Sequence, residues 1–271
     1  MRVSIRPFLL AAAVLTTIVA AASAAPRGAI TGRVYADARL TGYVGAVGGR
    51  LARVTGDPHG WRFVVLDQPD ANAFALPDRR VLVTRGMIAL ANDEAELAAV
   101  LAHEIAHQIA GHGRVGAAGR QAAEFEADRL GLRYLDAAGY DPRAQASIQA
   151  SLVAAHALDA RLRGAPAPLV ARAYAPMLVD RLRASSAATA RSTGGIRGRD
   201  RHLAAIDGMV WGVRAAGLRL RVRRIAPGDD VAAMASAMPV GNAPQARFHL
   251  LNGLVPGEVL HVGDHVKLVG R

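Results

Sequence analysis

The stretch "AAVLAHEIAHQIAGH", residues 98–112, places two histidines, His103 and His107, four apart in an otherwise apolar run, with Glu104 directly after the first. On a helix this spacing puts both imidazoles on one face, one turn apart. Two ring nitrogens so placed can share one zinc ion. Glu104 is turned about 100° from His103, near the edge of that face, where it meets a water held there rather than the metal. The neighbours Val100, Leu101, Ile105 and Ile109 leave little helix surface for water. The alternative reading is a pair of core histidines beside a solvent-facing glutamate.

The flanks define a helical hairpin. Asn92 or Asp93 can cap the first helix, and Glu96 lies three residues after Asp93, the spacing of a capping box. The glycine-rich "GHGRVGAAG" (111–119) ends it, and "RQAAEFEADRLGLRYLDAAG" (120–139) reads as a second helix stopped by Asp141-Pro142. With the turn near residue 116 and about 1.5 Å rise per residue, an antiparallel return brings Glu124 to the level of His107. Asp128, one turn further on, comes to the level of His103, where it can accept a ring N–H. Glu126 faces elsewhere and reads as surface charge; His112 reads as exposed and off the ligand face.

Upstream, "WRFVVLD" (61–67) is β-branched and aromatic and reads as a strand, followed by two extended segments, "ANAFALPD" and "RRVLVTRG", divided by the turn signal Pro77-Asp78. Residues 34–54 suit a helix, as do 143–163 and 168–191 around the break "GAPAP". "STGGIRGRD" reads as a linker. After it come a strand "LRLRVRRI", helical "VAAMASAM", "LLNGL" and a last strand "HVKLV".

Composition narrows the chemistry. The chain has 271 residues, 52% hydrophobic and 20% charged, which is globular. It has no cysteine, so disulfides and thiolate metal sites are excluded and any metal is held by His, Asp or Glu. Net charge is +11, almost all arginine; the only lysine is Lys267. That bias either favours anionic envelope surfaces or is compositional, and no nucleic-acid motif accompanies it. The opening residues read as an export signal: Arg2 and Arg6, an apolar run from Phe8 to Ala21, then Ala22-Ser23-Ala24. The alternative is an uncleaved anchor, for which the run is short.

From about Tyr43 to Pro142 the chain resembles the HtpX-like and CAAX-prenyl-protease-like zinc peptidases, metallopeptidase family 48 of the gluzincin type. The resemblance is carried by "NAFALPD" (72–78), "VLVTRGMIAL" (81–90), "NDEAELAAVLAHEIAHQIAGH" (92–112) and "EFEADRLGLRYLDAAGYDP" (124–142). It implies one zinc ion per chain held by His103, His107 and Glu124, Glu104 as general base, and a cleft bordered by Asn72, Ala73 and Phe74, where an extended polypeptide pairs with a sheet edge. Two departures stand out. Only sixteen residues separate His107 from Glu124, where relatives carry tens more. In "AYAPMLVDRL", Ala175 stands where many relatives have a histidine that can cover the zinc, while Pro176 and Arg181 are kept. Arg181 then serves either as an oxyanion stabiliser or as a helix-surface arginine. Residues 218–271 resemble a LysM module, a βααβ glycan-binding fold, with Asp230 in place of the usual threonine; the alternative is a packing domain.

The expected architecture is α+β: a signal peptide (1–24), a gluzincin-type peptidase domain of small sheet and helical hairpin (25–191), a linker (192–217) and a LysM-like domain (218–271). The expected function is an exported, periplasmic zinc endopeptidase acting on envelope or misfolded polypeptides, with peptidoglycan as a further partner of the C-terminal module, no nucleic acid and no membrane span in the mature chain. The alternative is a weakly active or inactive zinc-stabilised binding module.

Overall fold

The computed structural model describes residues 32–164, 175–255 and 258–271. The export-signal reading and part of the "GAPAP" break lie outside these residues.

Helix α1 (Ala38–Ala52) is capped by Asp37, whose carboxylate accepts the Leu40 N–H, and it buries Leu40, Val44, Val47 and Leu51 along one stripe. It lies on strand β1 (Arg62–Leu66). A Cβ at Gly48 would fall 2.3 Å from the Phe63 ring, so this close approach requires glycine. Strand β3 (Arg80–Thr84) pairs in parallel with β1, and β2 (Ala73–Leu76) pairs antiparallel to β3, giving the order β1-β3-β2. Pro77, Asp78 and Arg79 form the β2–β3 turn. Arg79 takes a left-handed φ of 63°, held by its guanidinium on Asp57 and on the His59 carbonyl.

Helix α2 (Arg85–Leu90) begins directly off β3, its first turn capped by the Thr84 hydroxyl. It is too short for its periodicity to show in the sequence. Helix α3 (Glu94–Ile109) follows and runs through the centre of the core, with every residue from Glu94 to Ala102 buried. Asp93 is its cap, accepting the Glu96 N–H at 2.8 Å, while the Glu96 carboxylate reaches back to the Asn92 N–H, also at 2.8 Å. Arg201 and Tyr140 hold Glu94, and Arg197 holds Asp93. Acids in the first turn of a helix also meet its positive end.

Two short turns lead to α4 (Arg120–Ala137), then α5 (Arg143–Leu162) and α6 (Ala175–Thr189). Gln145 on α5 bonds Ser185 on α6 at 2.9 Å. The stretch read as a linker is built into the core. Its helix α7 (Arg199–Ile206) places fully buried His202 between the Tyr43 hydroxyl and the Ala91 carbonyl.

The C-terminal segment has the order β4 (Arg219–Arg224), α8 (Val231–Ser236), α9 (Pro244–Asn252), β5 (His265–Gly270), with β4 and β5 antiparallel. Asp230 caps α8 by accepting the Ala233 N–H. The sole lysine, Lys267 on β5, is fully buried. Its Nζ donates to the carbonyls of Ala89 and Ala91 at 2.9 and 2.8 Å. A helix end leaves its last carbonyls without partners; here a side chain from the C-terminal segment supplies the donors. A compact ammonium suits two carbonyls side by side better than a planar guanidinium.

Candidate metal centre

The α3–α4 hairpin is the frame of the site. Gly131 on α4 packs against α3 at His103. A Cβ there would come within 3.5 Å of the His103 backbone nitrogen and 3.3 Å of the Gln145 side chain. At this spacing the antiparallel return brings Glu124 to both histidines. The Nε2 atoms of His103 and His107 are 3.0 Å apart. Glu124 Oε2 is 3.4 Å from His103 Nε2, and Glu124 Oε1 is 3.5 Å from His107 Nε2. His107 and Glu124 are buried and His103 is partly so.

These separations test whether zinc fits. Ligands about 2.0–2.1 Å from zinc at tetrahedral angles lie about 3.3 Å from one another. The three donor pairs lie at 3.0, 3.4 and 3.5 Å. The donor set, two imidazoles and a carboxylate, is that of an open catalytic zinc site.

Asp128 lies 3.0 Å from His103 through Oδ1 and Nδ1, so it accepts the ring N–H and leaves Nε2 turned toward Glu124 and His107. Arg181, from α6, is buried and holds both carboxylates. Its Nη1 donates to Glu124 at 2.7 Å, its Nε to Asp128 at 2.6 Å and its Nη2 to Asp128 at 2.8 Å. Its expected alternative as a helix-surface arginine is thereby overturned. Burial disfavours the Asp128 carboxylate, but Arg181 and His103 outweigh it and hold its pKa down at about 2. Glu124 is likewise held well below the usual carboxylate range, against burial, by bonds to His103 and His107. Burial and Arg181 press His103 down, yet Asp128 and Glu124 push it up to about 9. Glu104 is half-buried, and burial raises its carboxyl above the ordinary value while the neighbouring histidines oppose the rise.

Asn72, Ala73 and Phe74 lie at the start of β2, half-buried. Thr84 N–H donates to the Asn72 carbonyl at 2.9 Å, which marks 72/84 as a hydrogen-bonded pair. The pairs alternate, so Ala73 and Ala75 turn their backbone N–H and C=O away from β3. No strand among the described residues pairs with that edge. Ala175 opens α6; its side chain lies outside the described set.

Two residues depart from the sequence reading. His112 is buried at 6% exposure, not exposed, and its Nδ1 lies 2.9 Å from His107 Nδ1. Glu126 is not merely surface charge: its Oε2 lies 3.1 Å from His112 Nε2. Straight-helix spacing fails at this point because α3 ends at Ile109 and Gly111 takes a left-handed φ of 72°. The chain therefore turns back beneath His107. The glycine one residue before His112 was the signal for this return.

Residues 38–123 match peptidase family M48. The chain is 44% identical over 71 residues to the mitochondrial metalloendopeptidase OMA1 of Schizosaccharomyces pombe, a match covering 26% of this chain and 21% of the relative. It is 27% identical over 124 residues to that of Arabidopsis thaliana, covering 34% and 26%. It is 39% identical over 75 residues to the OMA1 metalloendopeptidase of Bos taurus, covering 28% and 14%. The chain thus spans about a quarter or less of the length of these relatives. No helix among the described residues is long and apolar enough to cross a membrane. Over residues 38–123 the chain therefore resembles peptidase family M48, and over short spans it is similar to the OMA1 metalloendopeptidases.

Proposed function

We propose that the protein is an exported zinc-dependent endopeptidase that hydrolyses peptide bonds in envelope or misfolded proteins. One observation carries this reading: the donors of His103, His107 and Glu124 converge at zinc-ligand spacing, with Glu104 beside them on α3. His103, His107 and Glu124 would hold the metal. Zinc bound there would supply a Lewis acid that activates a water and polarises the scissile carbonyl.

The chain's own groups do the rest. Glu104, whose carboxyl burial makes more basic, takes the proton of the attacking water and hands it to the leaving nitrogen. Arg181 keeps a second Nη1 hydrogen beside the one it gives Glu124, and this N–H meets the carbonyl oxygen as negative charge develops. The outward backbone groups of Ala73 and Ala75 bind an extended substrate as an added strand, with Asn72 and Phe74 at the same border. Asp128 keeps the His103 ring in register.

Export rests on the basic and apolar opening residues with their small-residue site. A LysM-like role for residues 218–271, with peptidoglycan as ligand, is supported by the βααβ order and the β4–β5 pairing.

Glu104→Gln tests the catalytic assignment, because it removes the base and no ligand. The variant is expected to bind zinc as wild type does and to lose cleavage of an unfolded polypeptide by about 100-fold or more. Cleavage at the wild-type rate would overturn the role of Glu104.

A further inference from the structure

His107 and His112 face each other through their Nδ1 atoms at 2.9 Å, and His112 faces Glu126 through Nε2 at 3.1 Å. With both rings neutral, the contacts of His107 and His112 set the proton positions along this row. A neutral imidazole carries one N–H and one lone pair. A carboxylate oxygen accepts, so the 3.1 Å contact with Glu126 Oε2 takes the His112 proton on Nε2. Its Nδ1 is then a lone pair, and the 2.9 Å contact requires the proton of His107 to sit on Nδ1. That leaves His107 Nε2 as a lone pair aimed at His103 Nε2 and Glu124.

We infer that His112 and Glu126 position His107 as a metal ligand, by holding its ring proton on Nδ1 and its Nε2 toward the other two donors. The inference rests on the metal-site reading above and deepens it. Each ligand histidine then has its own carboxylate-backed brace. Asp128 serves His103 directly, and Glu126 serves His107 through His112. The single segment "EFEAD" supplies all three acids: a ligand at Glu124 and the ends of two braces at Glu126 and Asp128. His112 is itself no ligand, since both of its ring nitrogens are engaged away from the donor cluster. Its brace is buried at the His112 end and meets solvent at the Glu126 end, whose side chain is 49% exposed. A half-exposed carboxylate holds its partner less firmly than a buried one, so His112 contributes more than Glu126.

The test is zinc affinity, read by competition with a chromogenic chelator on the full chain. His112→Ala is expected to weaken zinc binding about 10- to 100-fold. Glu126→Ala is expected to weaken it several-fold. His112→Asn, whose side-chain oxygen can accept the His107 N–H, is expected to recover part of the loss; a residue that only filled space would show no such rescue. Long-range proton–nitrogen spectra of the imidazoles in zinc-loaded wild type should show His107 protonated at Nδ1 and His112 at Nε2. A wild type that binds zinc while a folded His112→Ala binds it equally well would overturn the inference and leave the metal site standing. A His112 protonated at Nδ1 would overturn it too. A wild type that takes up no zinc would overturn the metal-site reading and this inference together.

Discussion

Arg181 donates to Glu124 at 2.7 Å and to Asp128 at 2.6 Å, so one buried guanidinium from α6 ties together the carboxylates that serve the histidine pair. The contact spans more than fifty residues of chain and joins α6 to the α3–α4 hairpin. Arg181 carries its positive charge with or without metal.

Arg181→Met leaves two buried carboxylates without that partner. Breaking a buried pair from one side costs about 3–5 kcal/mol, and the metal-free variant should be destabilised by roughly that amount in denaturant unfolding. Zinc should recover part of the loss, because it gives Glu124 a new cation. A metal-free variant as stable as wild type would show that Arg181 holds nothing in place.

The free edge of β2 makes a separate prediction. Ala73→Pro removes one outward N–H, and proline is tolerated on an edge strand. The variant should keep wild-type zinc affinity and show a several-fold higher KM for an extended peptide, with kcat little changed. An unchanged KM would place substrate elsewhere.

His202 makes the fold sensitive to acid. Burial, with Lys267 nearby, lowers its pKa from 6.5 to about 3. Its Nε2 faces the Ala91 carbonyl and its Nδ1 the Tyr43 hydroxyl, so the neutral ring already has both partners. Above pH 6.5 both folded and unfolded chains carry it neutral, and it contributes no pH dependence. Between 6.5 and about 3 the unfolded chain takes up a proton that the folded ring refuses, so stability falls as pH drops. The slope from this group approaches about 1.4 kcal/mol per pH unit. His202→Gln keeps an N–H for Ala91 and removes the titration. Its stability should therefore fall less steeply than wild type between pH 6.5 and 4, as read by urea unfolding at each pH. Equal slopes would show that His202 is not the titrating group.

Much of this was legible in the sequence wherever one residue spacing decides the geometry. The His103–His107 pair and the levels of Glu124 and Asp128 follow from helical rise and turn length, and the capping-box spacing narrows the α3 cap to Asn92 or Asp93, of which the structure uses Asp93. What spacing cannot show is a chain that leaves its helix. Gly111 turns His112 back under His107, and a straight-helix projection puts His112 in solvent. Nor does local pattern show partners distant in the chain. Arg181 on Glu124, His202 beneath α2 and Lys267 on Ala89 and Ala91 are contacts made by folding. "STGGIRGRD" therefore reads as a linker although the helix that begins within it, α7, is packed into the core.

The proposed zinc site of His103, His107 and Glu124 is tied to peptide hydrolysis, and that tie can be measured. The most direct measurement is cleavage of an unfolded polypeptide by the purified protein, first stripped with chelator and then given one equivalent of zinc. The stripped protein should be inactive, and zinc should restore cleavage. Cleavage that survives removal of the metal, or a zinc-loaded and folded protein that cuts nothing, would contradict the account.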